Sequence, residues 1–171
     1  MQTTRTTQPE KVSPTGCCPP VDPSTWGEGE VVWRDHLFVK EHVTSLFHIP
    51  LDMGAKIVRA KAKIDAAGAE PAQPLMLADE RSPWGADLFI DVSKPVPGAE
   101  MATLSGTFMT RVYDGPFRDA GKWAQDMKRH VESTGRTAQK IYFAYTTCPR
   151  CAKAYGHNYV VLFARVGDAP S

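Results

Sequence analysis

Residues 113–131 have the sequence YDGPFRDAGKWAQDMKRHV, which predicts the end of a strand followed by an amphipathic helix. Pro116 suits the first turn of a helix, because proline fixes φ and its missing N–H needs no partner there. Apolar side chains then recur at helical spacing along one face, namely Ala120, Trp123, Met127 and Val131. Gly135 is expected to end the helix.

The sequence on either side of this helix adds three strands. Residues 104–113 precede it and favour a strand. Residues 140–145 and 159–166 follow it, and both are rich in aromatic and β-branched side chains. The second half of the chain is therefore predicted to be a strand, a helix and two further strands.

The first half repeats this order. Residues 37–47 predict a strand, Pro50 stands where a helix could begin, and Gly68 is expected to end it. An apolar stripe at helical spacing comprises Met53, Ile57, Ala60 and Ile64. Residues 74–79 and 87–92 predict two closing strands.

A shift of 66 residues aligns the two halves, as 113 − 47 shows for Tyr113 and Phe47. The same shift pairs Pro50 with Pro116, Ile57 with Trp123, Leu77 with Phe143, and Ala78 with Ala144. In the last strands the shift becomes 74, because the loop with Cys148 and Cys151 is longer.

The predicted fold is therefore α+β, with duplicated strand–helix–strand–strand units that share one antiparallel sheet, two helices and a central ligand cleft. Each half is too small to cover its own sheet face, so the halves must share a core. Residues 1–25 are predicted to be a poorly ordered lead-in, rich in Thr and Pro. Residues 26–168 form a single domain, with halves at about 30–94 and 100–167.

Composition excludes several classes of protein. The 20 basic and 19 acidic side chains are balanced and not clustered, so no nucleic-acid partner is expected. No apolar stretch approaches the ~20 residues of a membrane span, and no signal core is present, so we expect a cytoplasmic protein without a membrane partner. There is no glycine-rich phosphate loop, serine elbow or His-Glu-x-x-His helix, and no cofactor is expected. The sequence does not set the oligomeric state.

Aromatic and acidic side chains supply the candidate ligand site. Most aromatic residues lie on or beside the elements that should border the cleft, where they could bind a planar aromatic small molecule or pack in the core. The candidate ligand-binding residues are Trp84, Trp123, Phe47, Tyr113, Phe108 and Phe163. Carboxylates at strand ends could act as acid or base, or could be solvated charges: Glu41, Asp79, Asp87 and Glu100.

The four cysteines leave three alternatives open. Cys17 and Cys18 are adjacent, and Cys148 and Cys151 form a Cys-Pro-Arg-Cys turn. A four-thiolate zinc site is conceivable if the lead-in folds back, but a vicinal pair suits a tetrahedral site poorly. A redox role is the second alternative, and plain thiols without a bound metal are the expected state.

Several motifs resemble the GyrI-like small-molecule-binding family over about residues 17–166. They are the runs that begin at Cys17 (CCPPVDP), Phe47 (FHIP), Leu104 (LSGTF), Tyr113 (YDGPF) and Tyr145 (YTTCPRCAK). The resemblance is to a single-domain branch that contains hydrolases of cyclopropanoid DNA-alkylating antibiotics of the yatakemycin and duocarmycin kind. It implies a duplicated fold with a central cleft that binds bulky aromatic, often cationic, compounds.

The resemblance also implies roles for individual residues. An aromatic cage would orient the strained ring, while Tyr145, Tyr142 and Glu100 are the candidate catalytic residues. Many relatives carry a cleft glutamate in the final strand, but the matching run here, Val161-Leu-Phe-Ala, has no acid. The function implied is self-protection or detoxification by water addition. Sequestration of drugs without turnover, or a structural or partner-binding domain, are the alternatives.

Overall fold

The computed structural model describes residues 18, 22–47 and 49–167. Seven strands and three helices follow one another: β1 (Gly29–Leu46), β2 (Ile49–Pro50), α1 (Met53–Ala67), β3 (Met76–Ser82), β4 (Gly85–Asp91), β5 (Met101–Asp114), α2 (Ala120–Ser133), β6 (Thr137–Tyr145), α3 (Pro149–Tyr155) and β7 (Tyr159–Gly167). Short 3₁₀ turns span Pro23–Trp26 and Phe117–Asp119.

All strand pairings are antiparallel, and six of the strands close on themselves. The order is β2-β1-β4-β3-β6-β7-β5, and β5 also pairs with β1. Closure depends on the length of β1: Phe38 and Val39 pair with β4 on one side and with β5 on the other. A bulge between Trp33 and His36 bends this strand, with Asp35 at a φ of 49°. Bulges of this kind sharpen twist and help a sheet to curve into a barrel.

The inner face of the barrel is filled by large apolar side chains from all six strands. Trp33 is at its centre, with its ring centroid 4.6 Å from that of Phe108 and 5.6 Å from that of Phe163. Trp26, on the first 3₁₀ turn, packs edge-on against Phe163. The buried members of this inner core are Trp33, Phe38, Leu77, Phe89, Leu104, Phe108, Tyr142, Ala144, Val161 and Phe163. This face is therefore a packed interior.

The helices cover the outer face. Helix α2 buries Trp123, Met127 and Val131 against β5, β6 and β7, as its apolar stripe predicts. Helix α1 packs on β1, buries Ala60 and Ile64, and ends at Gly68, whose φ of 59° is the left-handed conformation that favours glycine. None of the helices in the described ranges is long and apolar enough to span a membrane.

The two helices border a common stretch of the outer face, which we call the interhelical surface. Met53 and Ile57 at the start of α1 and Trp123 of α2 pack against the same cluster, whose floor includes Ala78 and Phe143. In the sheet, β4 and β3 separate β1, under α1, from β6, under α2. The interhelical surface is thus a strip of sheet with one helix on each side.

The predicted α+β class with an antiparallel sheet is confirmed, and closure into a barrel was not predicted. The order strand, helix, strand, strand occurs twice, as β1-α1-β3-β4 and β5-α2-β6-β7. Duplication itself stays a prediction. Pro50 does not start the first helix. It lies in β2, where it pairs with Ser45 of β1, and α1 begins three residues later at Met53.

The alignment by 66 residues is wrong in β3 and β6. It equates Leu77 with Phe143, but Leu77 faces the inner core and Phe143 faces the helices. Ala78 and Ala144 also lie on opposite faces. Because side chains alternate along a strand, an error of one residue in register moves every equivalent to the other face.

The predicted lead-in falls almost wholly outside the described residues. Within it, Asp22 accepts hydrogen bonds from the backbone N–H and the hydroxyl of Ser24, which caps the turn Pro23–Trp26. This turn crosses the predicted boundary at residue 25/26. Cys18 lies against α3, because the Tyr155 hydroxyl donates to its carbonyl oxygen.

Candidate functional site

Aromatic rings line the interhelical surface beside the start of α2. Tyr145 stacks on Phe143 with ring centroids 5.9 Å apart, and Phe117 lies 5.7 Å from Tyr145 at a tilt of 56°. Trp123 stacks on Tyr113 at 5.8 Å. We call these five residues the outer aromatic cluster. Phe117 is exposed and Tyr145 is half-buried, so the cluster presents ring surface to a ligand as well as to the core.

The Tyr145 hydroxyl donates a hydrogen bond to Oε1 of Glu80 on β3. Glu80 is exposed, whereas the tyrosine ring is half-buried. Burial raises the pKa of Tyr145 far above its usual range, and the negative charge of Glu80 raises this pKa further. The tyrosine therefore keeps its proton at neutral pH, and the carboxylate has a fixed orientation beside aromatic rings.

A second hydroxyl–carboxylate pair stands at the other end of the cluster. The Tyr113 hydroxyl donates to Oδ2 of Asp126 at 2.8 Å, and Nη1 of Arg111 lies 3.2 Å from the same oxygen. Burial and then Asp126 raise the pKa of Tyr113, which Arg111 partly offsets. Asp126 is therefore held in an ion pair with Arg111 as well as by the hydroxyl of Tyr113.

The structure brings together only some of the residues proposed from the sequence. Tyr145, Trp123 and Tyr113 share the outer aromatic cluster. Phe47 and Trp84 contact each other at 5.0 Å, and both are exposed, with 68% and 56% of their surface accessible. They lie at the end of β1 and in the β3–β4 turn.

The remaining candidates lie elsewhere. Phe108 and Phe163 are completely buried in the barrel, and Tyr142 is 5% exposed there, on the opposite face of β6 from Phe143. These three rings fill the inner core and do not belong to the outer aromatic cluster. Glu100 is exposed before β5, and its carboxylate lies 3.8 Å from Nζ of Lys40.

Two acids considered from the sequence are buried in ion pairs. Asp79 and Asp87 lie opposite each other across β3 and β4. Asp79 is 2.6 Å from Nζ of Lys140, and Asp87 is 2.9 Å from Nδ1 of His42. Asp87 also borders an open depression of about 230 Å³ beside Trp84. A buried carboxylate needs an opposite charge or hydrogen-bond donors, and both acids have such partners within the protein, without a ligand.

Sequence reasoning missed Glu80 and Asp126. Glu80 follows Ala78 by two residues, so strand alternation places it on the helix-covered face, and Tyr145 follows Phe143 in the same way. Strand alternation could have placed both residues on the same face of the sheet, but only with the knowledge that β3 and β6 pair at Ala78 and Phe143. Asp126 lies on α2, one residue before the buried Met127, where a solvated charge is the usual expectation.

Three cysteine sulfurs lie together near the start of α3. The Sγ atoms of Cys18, Cys148 and Cys151 are all within 4.8 Å of one another. Cys151 is completely buried, and the backbone N–H of Cys148 points at Sγ of Cys18 at 3.4 Å. Cys17, the fourth cysteine considered from the sequence, lies outside the described residues.

A closed antiparallel barrel with α1 and α2 on its outer face and an aromatic surface between them defines an α+β fold. The sequence matches the bacterial hydrolase family over residues 8–166. The chain belongs to this family, which supports a hydrolase activity. A search of curated proteins finds no match.

Solved structures with the same fold are distant in sequence. A hydrolase from Listeria innocua has 12% identity and a TM-score of 0.60, covering 83% of this chain and 92% of that one. The EcmrR C-terminal domain has 9% identity and a TM-score of 0.54, covering 82% and 96%. SAV2435 bound to tetraphenylphosphonium has 9% identity and a TM-score of 0.51, covering 82% and 94%. At these identities the likeness concerns the fold alone.

Proposed function

We propose that this protein is a hydrolase that holds a planar aromatic electrophile against the outer aromatic cluster and adds water to it. The substrate class we propose is the cyclopropanoid DNA-alkylating compounds of the yatakemycin and duocarmycin kind, so that the reaction serves self-protection or detoxification. One observation carries the proposal: a carboxylate, Glu80, is oriented by the Tyr145 hydroxyl beside the aromatic rings of the interhelical surface.

The aromatic rings supply binding. A fused planar ligand gains apolar contact with the half-buried ring of Tyr145 and the exposed ring of Phe117, with roughly 0.5–1.5 kcal/mol for each well-oriented ring pair beyond burial. Binding also displaces water from the surface beside Glu80, which strengthens the electrostatic interactions there.

The Glu80–Tyr145 pair supplies the proton transfer. Glu80 accepts a proton from a water molecule, whose oxygen forms a bond to the methylene carbon of the cyclopropane. The cyclopropane carbon–carbon bond breaks, and its electron pair moves through the ring to the dienone oxygen, which takes up a proton from solvent and becomes a phenol. Glu80 then releases to solvent the proton that it accepted, which restores the carboxylate. The product is the substrate plus one water, and no covalent enzyme intermediate is needed. Tyr145 keeps its proton and holds the carboxylate in place.

A turnover assay tests this directly. The protein is incubated with a duocarmycin-type spirocyclopropyl dienone, and the product is followed by liquid chromatography and mass spectrometry. We expect protein-dependent formation of a species heavier by one water, at a rate well above that with heat-denatured protein. A rate equal to the background excludes this substrate class.

A second candidate function is the sequestration of aromatic cations without turnover. Two carboxylates, Glu80 and Asp126, accept hydrogen bonds from the tyrosines of the cluster, and aromatic faces attract cations. A structural neighbour is described as bound to tetraphenylphosphonium, an aromatic cation. Titration with tetraphenylphosphonium, followed by calorimetry, separates the candidates: binding together with no water addition in the turnover assay favours sequestration.

A further inference from the structure

We propose that Cys18, Cys148 and Cys151 bind a zinc ion, which fastens the N-terminal segment to the connection between β6 and β7. This inference does not rest on the proposed hydrolase function. It rests on three thiols from two distant parts of the chain that meet at one point.

The spacing of the three sulfur atoms fits a thiolate metal site. With Zn–S bonds of about 2.3 Å, two sulfurs of a tetrahedral site are about 3.8 Å apart. The Sγ atoms lie within 4.8 Å of one another, so side-chain adjustments of about 1 Å would complete the geometry. Cys148 and Cys151 also have the Cys-x₂-Cys spacing that is common in structural zinc sites.

The protein positions these thiols by contacts that do not depend on the sulfurs alone. Cys148 occupies the N-cap position of α3, and Cys151 lies in the first turn of this helix, so the helix fixes the separation of the two residues. Cys18 is held from outside the helix, because the Tyr155 hydroxyl at the end of α3 donates to its carbonyl oxygen. The residue 18 backbone is therefore anchored beside the Cys-x₂-Cys pair.

A backbone N–H donor and two basic residues lie beside the three cysteines. The backbone N–H of Cys148 is 3.4 Å from Sγ of Cys18, and an N–H donor to sulfur stabilises its anionic form. Arg150 and Lys153 flank Cys151 in the sequence and are both exposed, so they add positive charge beside a site with excess negative charge. Cys151 is completely buried, which protects a metal–sulfur bond from solvent.

A zinc ion here would have a structural role. It would join a residue near the N-terminus to a loop more than a hundred residues later, and such a link restricts the unfolded chain. Zinc is a borderline-soft ion, so a set of three thiolate ligands favours it, and it has no redox chemistry of its own. The remaining coordination position is open to a further thiolate or to water.

Metal analysis of the full chain tests the site. The protein is produced with zinc in the medium and purified with a thiol reductant but without chelators, and its metal content is measured by plasma mass spectrometry. We expect about one zinc per chain. Cys18→Ser should reduce the zinc retained after dialysis by at least about tenfold, because it removes one of three ligands. Cobalt substitution should give the intense visible bands of tetrahedral cobalt and the ultraviolet charge-transfer band of bound thiolate.

Two controls keep the outcome interpretable. Tyr155→Phe loosens the contact to residue 18 but leaves all three thiols, so it should retain about one zinc per chain. The Cys18→Ser variant keeps the buried Cys151, and the far-ultraviolet circular dichroism of this variant should match that of the wild type. Wild-type protein that binds no zinc or cobalt, or a Cys18→Ser variant that retains the wild-type stoichiometry, overturns the proposal.

Discussion

Replacement of Glu80 by glutamine tests the proposed chemistry most sharply. The side chain keeps its size, and its amide oxygen can still accept the hydrogen bond from Tyr145. It can no longer accept a proton from water. General-base catalysis contributes typically 10²–10⁴-fold, so kcat/KM should fall by at least about 10²-fold. Glu80 is exposed, so the free energy of unfolding should change little.

Replacement of Tyr145 by phenylalanine should have a smaller effect on the same reaction. A hydrogen bond to a charged group contributes about 1.5–3 kcal/mol, and the exposed carboxylate regains water when the hydroxyl is lost. The lower end of that range, about tenfold in kcat/KM, is therefore expected. Tyr159→Phe is a matched control, because that hydroxyl belongs to a ring stacked on His157 at 5.2 Å.

The double variant decides whether the two residues act as one unit. If Tyr145 acts by orienting Glu80, the variant with both substitutions should be no slower than Glu80→Gln alone. The assay is the formation of the water adduct under single-turnover conditions, with each variant's thermal unfolding recorded in parallel. A Glu80→Gln variant within about threefold of the wild type, or two effects that simply multiply, refutes the assigned roles.

Three further results are expected. Met127→Ala should lower the free energy of unfolding, measured in urea, by about 2–5 kcal/mol, because this side chain is fully buried under α2. Val58→Ala, at a side chain that is 70% exposed, should change it by less than about 0.5 kcal/mol; equal effects would contradict the packing of α2 on the sheet. In an alkaline titration followed by tyrosinate absorbance, Glu80→Gln should lower the pKa of Tyr145, since a nearby negative charge disfavours the phenolate; an unchanged curve would contradict the contact. Asp114→Asn should cost about 1 kcal/mol or less at neutral pH, and the difference from wild type should shrink as the pH falls below about 4; a difference that stays constant or grows as the pH is lowered through the acid range would argue against an ionised Asp114.

The sign of the Asp114 effect follows from its contacts. Burial raises the pKa of this carboxyl, but hydrogen bonds from His157 and from the backbone N–H of Asn158 outweigh burial and lower it below its ordinary value. A carboxyl with a lowered folded-state pKa contributes stability above its unfolded pKa. That stability is lost as the pH falls through the folded-state value.

Helices and strands could be predicted from the sequence because each has its own spacing of apolar residues, and because single residues such as glycine mark where a helix ends. The stripe with Trp123, Met127 and Val131 is buried on α2 as expected, and Gly68 ends α1 as expected. Closure of the barrel could not be predicted in the same way. It depends on the bulge near Asp35 and on Phe38 and its neighbour pairing with two strands, which no local pattern specifies.

The site was predicted less well than the fold, because membership of the site depends on which face of the sheet each side chain lies on. Tyr142 and Tyr145 are three residues apart on β6, so alternation sends one ring into the barrel and the other towards the helices. Which of the two rings faces the helices depends on the register of β6, which the sequence alone does not give. Glu80 was missed for the same reason, since an acid on an amphipathic strand is usually solvated and its partner lies 65 residues away.

The interhelical surface and the thiol cluster lie on the same stretch of chain, yet they depend on different contacts. Tyr145 is held by Glu80 and by the rings of Phe117 and Phe143. Just beyond it, the ends of β6 and β7 are joined by the hydroxyl of Thr146, which donates to the carbonyl oxygen of Tyr159. None of these contacts uses a cysteine, so loss of a metal from the thiols would leave the Tyr145 ring in place. The metal measurement and the turnover assay therefore test separate claims, and either can fail while the other holds.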